Sequence, residues 1–198
     1  MIENYVNYLN FLQNKLNKFF EKQKPYISCK KGCGMCCKNA QFPFTQIEAA
    51  YLLSGAKNLS EELSEQVMAN IRKIQQDKKE FKGETFNYDC PFLINNECCV
   101  YEYRGIICRS FGLLTVYENG KSRVPFCCFQ GYNYSNVLDE ATKTISAEKY
   151  KASGIEQEPL AFNISYKFLI DEAFEKGFNF KFGEVKPLID WFDEAETK

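Results

Sequence analysis

Apolar residues recur every three or four positions near the start of the chain, at Tyr5, Leu9, Leu12, Leu16 and Phe19. That spacing gathers them on one face of a helix. Lys24-Pro25 ends it, because proline has no amide to donate and crowds the preceding turn. The stripe covers only about two heptads, too few for a self-sufficient coiled coil, so it is expected to face a core rather than a dimer seam. Thr45 and Glu48 then form a capping-box pattern that opens a short helix stopping at Gly55. Ser60, followed by Glu61 and Glu62, opens a longer one with Leu63, Val67, Ile71 and Ile74 on its apolar face. The polar stretch from Lys78 to Lys82 reads as a surface connection.

From Phe86 the pattern changes. Cys90-Pro-Phe-Leu93, a polar turn at Asn95-Asn96, and Cys98-Cys-Val-Tyr101 predict a hairpin that brings cysteines to one end. Leu113 to Tyr117 and Arg123 to Cys127 flank Asn119-Gly120, a dipeptide suited to the left-handed turn of a second hairpin. Helical signals return from Asp139 and are broken at Gly154, Pro159 and Gly177. No fixed-period repeat and no low-complexity tract interrupts this order. The fold class is therefore α+β and mainly helical, with a cysteine-rich loop and short β-hairpins around a metal site, packed against several helices. One domain is expected over 1–198, with a metal-binding core at about 26–132 and flanking helices in 1–24 and 138–198.

The chemistry is concentrated in the cysteines. Four of the ten fall within nine residues, at Cys29, Cys33, Cys36 and Cys37. Such spacing brings several soft thiolates within reach of one metal centre, and Gly32 and Gly34 supply the tight turns that let them converge. Disulfides are the competing use, but they belong to oxidising compartments. The N-terminal stretch has neither the basic start nor the apolar run of a secretion signal. A cytoplasmic location with free or metal-bound thiols is expected, and the sequons at Asn58, Asn133 and Asn163 are then chance matches.

Composition narrows the options further. The 198 residues are 45% hydrophobic and 26% charged, enough for an ordinary core. A net charge of −1 leaves no basic surplus for phosphate backbones, so no nucleic-acid partner is expected. No membrane partner is expected either. The most apolar stretch, Gly105 to Tyr117, is interrupted by Arg109 and falls short of the roughly 20 residues of a span. The chain has no histidine, which removes the usual nitrogen ligand of zinc and the commonest proton-transfer group at neutral pH. An all-thiolate set suits zinc or an iron–sulfur cluster, and the reading leans toward the cluster because every candidate ligand is sulfur.

A second block follows the first by about fifty residues: Cys90-Pro91-Phe92-Leu93, Cys98, Val100-Tyr101-Glu102-Tyr103-Arg104 and Cys108-Arg109. In this order the two blocks resemble the YkgJ-like cysteine-cluster family of zinc- or iron-chelating proteins, over about Cys29 to Cys128. Two positions depart from the pattern. Gly105 stands where the family usually has proline, which implies a looser entry into the segment leading to Cys108, and Cys99 occupies a position commonly filled otherwise. The resemblance implies that Cys29, Cys33, Cys36, Cys37, Cys90, Cys98 and Cys108 are ligands, with an eighth from Cys127 or Cys128. Eight exceed one tetrahedral site, so two centres are open. Neighbours on an extended strand point to opposite sides. Cys36 and Cys37 should then serve different centres, or one the metal and the other the core, unless the backbone turns sharply between them, and Cys99 should be a packing residue beside the ligand Cys98. Lys30, Lys31 and Lys38 are either charge-offsetting neighbours or a solvated loop, while Arg104 and Arg109, inside the apolar block, are candidates to hydrogen-bond the thiolates or to hold an anionic substrate.

Three function classes remain. The first is a cysteine-ligated metal protein, holding a metal ion or cluster, in redox or metal handling. The second is an enzyme using S-adenosylmethionine, because part of the motif resembles flagellin lysine N-methylases, and Cys29, Cys33 and Cys36 also have radical-enzyme spacing. No glycine-rich cofactor loop and no alternating strand–helix run accompanies either. The third is a structural adaptor in which zinc replaces part of a core. No feature of the sequence identifies a protein partner.

Overall fold

The computed structural model describes residues 1–30, 32–116 and 119–192. In chain order the elements are α1 (Ile2–Lys22), β1 (Pro43–Thr45), α2 (Gln46–Ala56), α3 (Glu61–Glu80), β2 (Leu93–Ile94), β3 (Glu97–Cys98), α4 (Ile106–Ser110), β4 (Thr115–Val116), β5 (Ser122–Arg123), β6 (Leu138–Asp139), β7 (Thr144–Ile145), α5 (Ala147–Ala152), α6 (Tyr166–Leu169), α7 (Glu172–Phe178) and β8 (Val185–Pro187), with short 3₁₀ turns between them. About half of the chain is helical and the strands form small antiparallel pairs, an α+β composition. The chain divides into two compact units: residues 1–5, 31–108 and 180–198 in the first, 6–30 and 109–179 in the second.

In the first unit, β1 pairs antiparallel with β8, Pro43 opposite Pro187 and Thr45 opposite Val185. Trp191 reinforces this pair by donating its indole N–H to the Phe44 carbonyl at 3.1 Å. The strand runs straight into α2, whose capping box is complete: Thr45 Oγ1 accepts from the Glu48 amide and the Glu48 carboxylate accepts from the Thr45 amide. The predicted face of α3 is buried at Val67, Ile71 and Ile74. These side chains meet Phe42, Phe44, Leu52, Phe92, Val100, Leu188 and Ile189 in one apolar core, which also contains Cys37 and Cys90. The Lys78–Lys82 stretch is not a plain surface connection. The helix continues to Glu80, and Lys78 pairs with Asp190.

The second unit is built on aromatic pairs and a buried amide. Tyr26 stacks on Tyr134 with centroids 5.4 Å apart, and Phe19 on Phe162 at 4.2 Å. The fully buried Gln23 donates to the Glu158 carbonyl and accepts from the Leu160 amide and the Tyr134 hydroxyl. Tyr8 meets Phe174 and Phe178 of α7. The α1 stripe is buried at Tyr5, Leu9, Leu12 and Leu16, as core packing requires. The second predicted hairpin forms as β4–β5 with Gly120 at φ 77°, while its residues 117 and 118 lie outside the described residues. Gly177 does not break α7. The left-handed cap falls on Asn179 at φ 56° instead. The β6–β7 hairpin adds a turn that the sequence pattern missed.

Gly55 gives a direct test of the packing. Alanine normally stabilises a helix interior relative to glycine, but a Cβ at position 55 would overlap the root of the Tyr103 ring, with Tyr103 Cβ 2.8 Å away. Gly55→Ala should therefore destabilise the protein by about 1–3 kcal/mol, the range for overpacking. Denaturant unfolding checks this, and a stabilised variant would refute the close α2–Tyr103 contact.

Candidate metal centre

The first cysteine block is turned rather than extended. Gly34 takes a left-handed conformation, φ 62°, which few residues other than glycine adopt readily. It opens a 3₁₀ turn over Met35–Cys37, closed by the Cys37 amide on the Gly34 carbonyl at 2.9 Å. The carbonyl of Asn96 would lie 3.1 Å from any Cβ at position 34, so this glycine also fits against the hairpin tip. As a result the Cys36 and Cys37 sulfurs stand 3.8 Å apart. The expectation that these neighbours face opposite sides holds for a strand and is corrected here by the turn.

The second block meets the first through the backbone. Cys90 donates its amide to the Cys37 carbonyl at 2.8 Å, and Ala40 and Tyr88 exchange both backbone bonds at 3.1 Å. Beyond Cys90 the chain forms the predicted hairpin, with Asn95 and Asn96 at φ 51° and 62° and Cys98 opposite Leu93. The Cys37 thiol consequently interacts with the thiols of Cys36, Cys90 and Cys98. Cys108, on α4, lies close enough to Cys90, Cys36 and Cys98 to feel their charge.

The electrostatics follow from these contacts. The Cys37 thiol is pushed far up, first by its hydrogen bonds to Cys36, Cys90 and Cys98 and then by burial. Cys36 is lowered to about 7, chiefly by the bond from Cys37 and further by Arg104. Cys98 is lowered by the bond from Cys37, then by a backbone bond from Val100 and by Arg104. Burial raises Cys108 well above the usual thiol range, and neighbouring cysteines add to this. Cys99 rises to about 11 through burial and the charges of Cys98 and Cys90. Arg104 is held by its Nε bond to the Tyr101 carbonyl at 2.8 Å, its guanidinium 3.4 Å above the Tyr101 ring. The cluster is centred on the Cys37 thiol, which hydrogen-bonds with Cys36, Cys90 and Cys98. Among the described residues no three cysteine or carboxylate groups already frame an ion.

The other predicted site residues are distributed over both units. Cys33 is partly buried between Gly32 and Gly34 in the first unit. Cys29, Cys127 and Cys128 belong to the second unit. There Cys29 accepts a hydrogen bond from the buried Asn133 amide at 3.2 Å, and Asn133 also donates to the Gly112 carbonyl at 2.8 Å. Asn133, 1% exposed, is closed to glycosylation in the folded chain. Cys128 packs among Leu114, Val124 and Tyr134, and burial lifts its thiol to about 11. Arg109 donates to Gln13 at 3.0 Å. Lys30 is exposed, Lys38 is partly buried, and Lys31 lies outside the described residues.

Gly105 does not loosen its segment. A Cβ there would stand 2.8 Å from both Glu48 Oε1 and the Phe44 ring, so the backbone at 105 is pressed against α2 and β1. Sequence reasoning placed Glu48 only in a local cap. No pattern marks its bond to the Ile106 amide, 58 residues away.

A donor set made of sulfur from two turned segments, beside an arginine, is that of a thiolate metal-binding protein. The chain matches the model of the CxxCxxCC family, described as a putative zinc- or iron-chelating domain, over residues 28–128, just over half its length. It belongs to that family. No curated protein and no solved structure matches it.

The paired cysteines of the hairpin are expected to differ. Both Cys98 and Cys99 pack beside the apolar core, but Cys98 interacts with the Cys37 thiol, while the Cys99 amide donates to the Phe92 carbonyl. Cys99→Ala should leave metal content intact and cost about 1 kcal/mol or less. Cys98→Ala should lower metal content sharply. Metal analysis of the two variants side by side checks this, and a larger loss from Cys99→Ala would reverse the assignment.

Proposed function

We propose that the protein holds a single metal ion, Zn2+, through thiolates of both cysteine blocks, and that this ion ties the hairpin to the core of the first unit. The carrying observation is the 3.8 Å separation of the Cys36 and Cys37 sulfurs. Two thiolates on one tetrahedral zinc, each about 2.3 Å from the metal, stand about 3.8 Å apart. Cys36 and Cys37 then form one edge of the tetrahedron, and Cys90, Cys98 and Cys108 provide the opposite one. The donor chemistry fits: five soft sulfurs are available for four positions, and small side-chain rotations about Cys37 separate touching thiols into ligands. A four-iron cluster gives each cysteine its own iron and calls for wider spacing. The short spacing therefore weighs toward a single ion, against the lean that composition alone suggested.

The surroundings support a structural role. Cys37 and Cys90 are themselves core residues, so an ion bound there bridges the apolar interior and the β2–β3 hairpin. All ten cysteines are free, the form that metal binding requires. A reducing, cytoplasmic setting is the one in which they would stay so. Arg104 offsets part of the −2 charge that four thiolates leave around a divalent ion.

Anaerobically purified protein should contain one zinc per chain, with no sulfide and no absorption near ~400 nm, where thiolate-held clusters are expected to absorb. Stoichiometric iron with acid-labile sulfide would replace the single ion with a cluster. Stripping the metal should lower thermal stability, and restoring zinc to about 1,000 times its Kd should return about 4 kcal/mol. Cys37→Ser should remove that response. A Tm indifferent to chelator would leave no structural role for the ion.

A further inference from the structure

We infer that Glu48 is the positioning residue for Cys108, so that metal affinity depends on a buried carboxylate in α2. This rests on the single-ion reading, with Cys108 among the four ligands. Glu48 is 0% exposed. One oxygen, Oε2, serves the local cap, accepting from the Thr45 amide at 2.9 Å and the Thr45 hydroxyl at 2.8 Å. The other, Oε1, accepts from the Ile106 amide at 2.7 Å. Ile106 is the first residue of α4, and Cys108 follows two residues later.

The first amides of a helix have no partner within it, and Ile106, also 0% exposed, has no access to water as a substitute. Leaving that amide unpaired would carry the full cost of its desolvation. Five residues are too few to hold a helix by themselves. The position of α4 is therefore set from outside, by the Glu48 bond and by the Phe44 ring against which Gly105 is pressed. A capping box alone asks nothing of the second oxygen. Here that oxygen reaches a segment far along the chain and fixes where the Cys108 thiol enters the group formed with Cys90, Cys36 and Cys98.

The test uses the full chain stripped of metal and titrated with Co2+ and Zn2+. Affinity is read by competition with a chelator, and ligation by the intensity of thiolate-to-cobalt charge transfer. The variants are Glu48→Gln, which keeps the volume but replaces one acceptor oxygen with an NH2 group, then Gly105→Ala, Cys108→Ser and the double Glu48→Gln/Cys108→Ser. Glu48→Gln and Gly105→Ala should each weaken binding about 10–100-fold, the range for residues that orient a ligand. Each should also lose about a quarter of the charge-transfer intensity, one thiolate of four. In the Cys108→Ser background, Glu48→Gln should cause no further loss, because both changes act through one ligand. A purely structural role would instead lower metal-free stability and leave the cobalt spectrum alone. If Gly105→Ala fails to fold, the near-isosteric Glu48→Gln and its double variant decide. Wild-type protein lacking thiolate-to-cobalt bands overturns the metal reading itself. Normal wild-type bands, with unchanged affinity and spectrum in Glu48→Gln or additive loss in the double variant, overturn only the positioning role.

Discussion

The Cys90 amide bonds to the Cys37 carbonyl at 2.8 Å, and with the Ala40–Tyr88 exchange it forms a short antiparallel seam between residues about fifty apart in sequence. Each block has local order of its own: a 3₁₀ turn opened by Gly34 in the first, a two-asparagine hairpin in the second. The cluster draws Cys36 and Cys37 from the first and Cys90, Cys98 and Cys108 from the second. The seam brings the turn against the hairpin, and the loop it closes is the entropic cost of doing so. That loop is not idle chain. It contains α2 and α3, whose buried faces supply the core on which both blocks rest.

Much of this was legible where the signal is local. The α1 stripe, the Thr45–Glu48 box and the Ser60 cap each follow from residues within a turn of one another, and the structure has α1, α2 and α3 there. Asn95-Asn96 likewise marked its own hairpin. What was missed is long-range or depends on one dihedral. The β1–β8 pair joins Pro43 to Pro187, and no periodicity in either three-residue strand announces the other. The assumption that Cys36 and Cys37 diverge came from strand geometry, while Gly34 at φ 62° makes a turn instead. Gly177 was read as a breaker, but the left-handed position fell two residues later, on Asn179.

The cysteines were legible as a metal signature and not as a spatial arrangement. One motif, Cys29-x3-Cys33-x2-Cys36-Cys37, straddles the boundary between units at residues 30 and 31. Cys29 therefore lies with Asn133 and Gly112, and Cys36 and Cys37 with the second block. Cys127 and Cys128 are buried in a 3₁₀ turn of the second unit, where Cys128 is one apolar residue among several. A thiol is small, soft and weakly polar, so the same residue type serves as ligand or as core. Spacing alone does not distinguish these uses. What surrounds the sulfur does.

At the cluster of the first unit the two uses act against each other. Burial favours the neutral thiol and drives Cys108 up, while the hydrogen bond from Cys37 and the charge of Arg104 draw Cys36 and Cys98 down. The same contacts with its three cysteine neighbours push the Cys37 thiol upward. One exposed-side guanidinium, itself occupied with Tyr101, is a weak counterweight to several buried thiolates. A divalent ion is a much stronger one, because it neutralises charge at bonding distance and displaces the protons that hold the thiols together. The core thus brings the sulfurs together, and the proposed ion would complete an arrangement that the apolar packing has largely prepared.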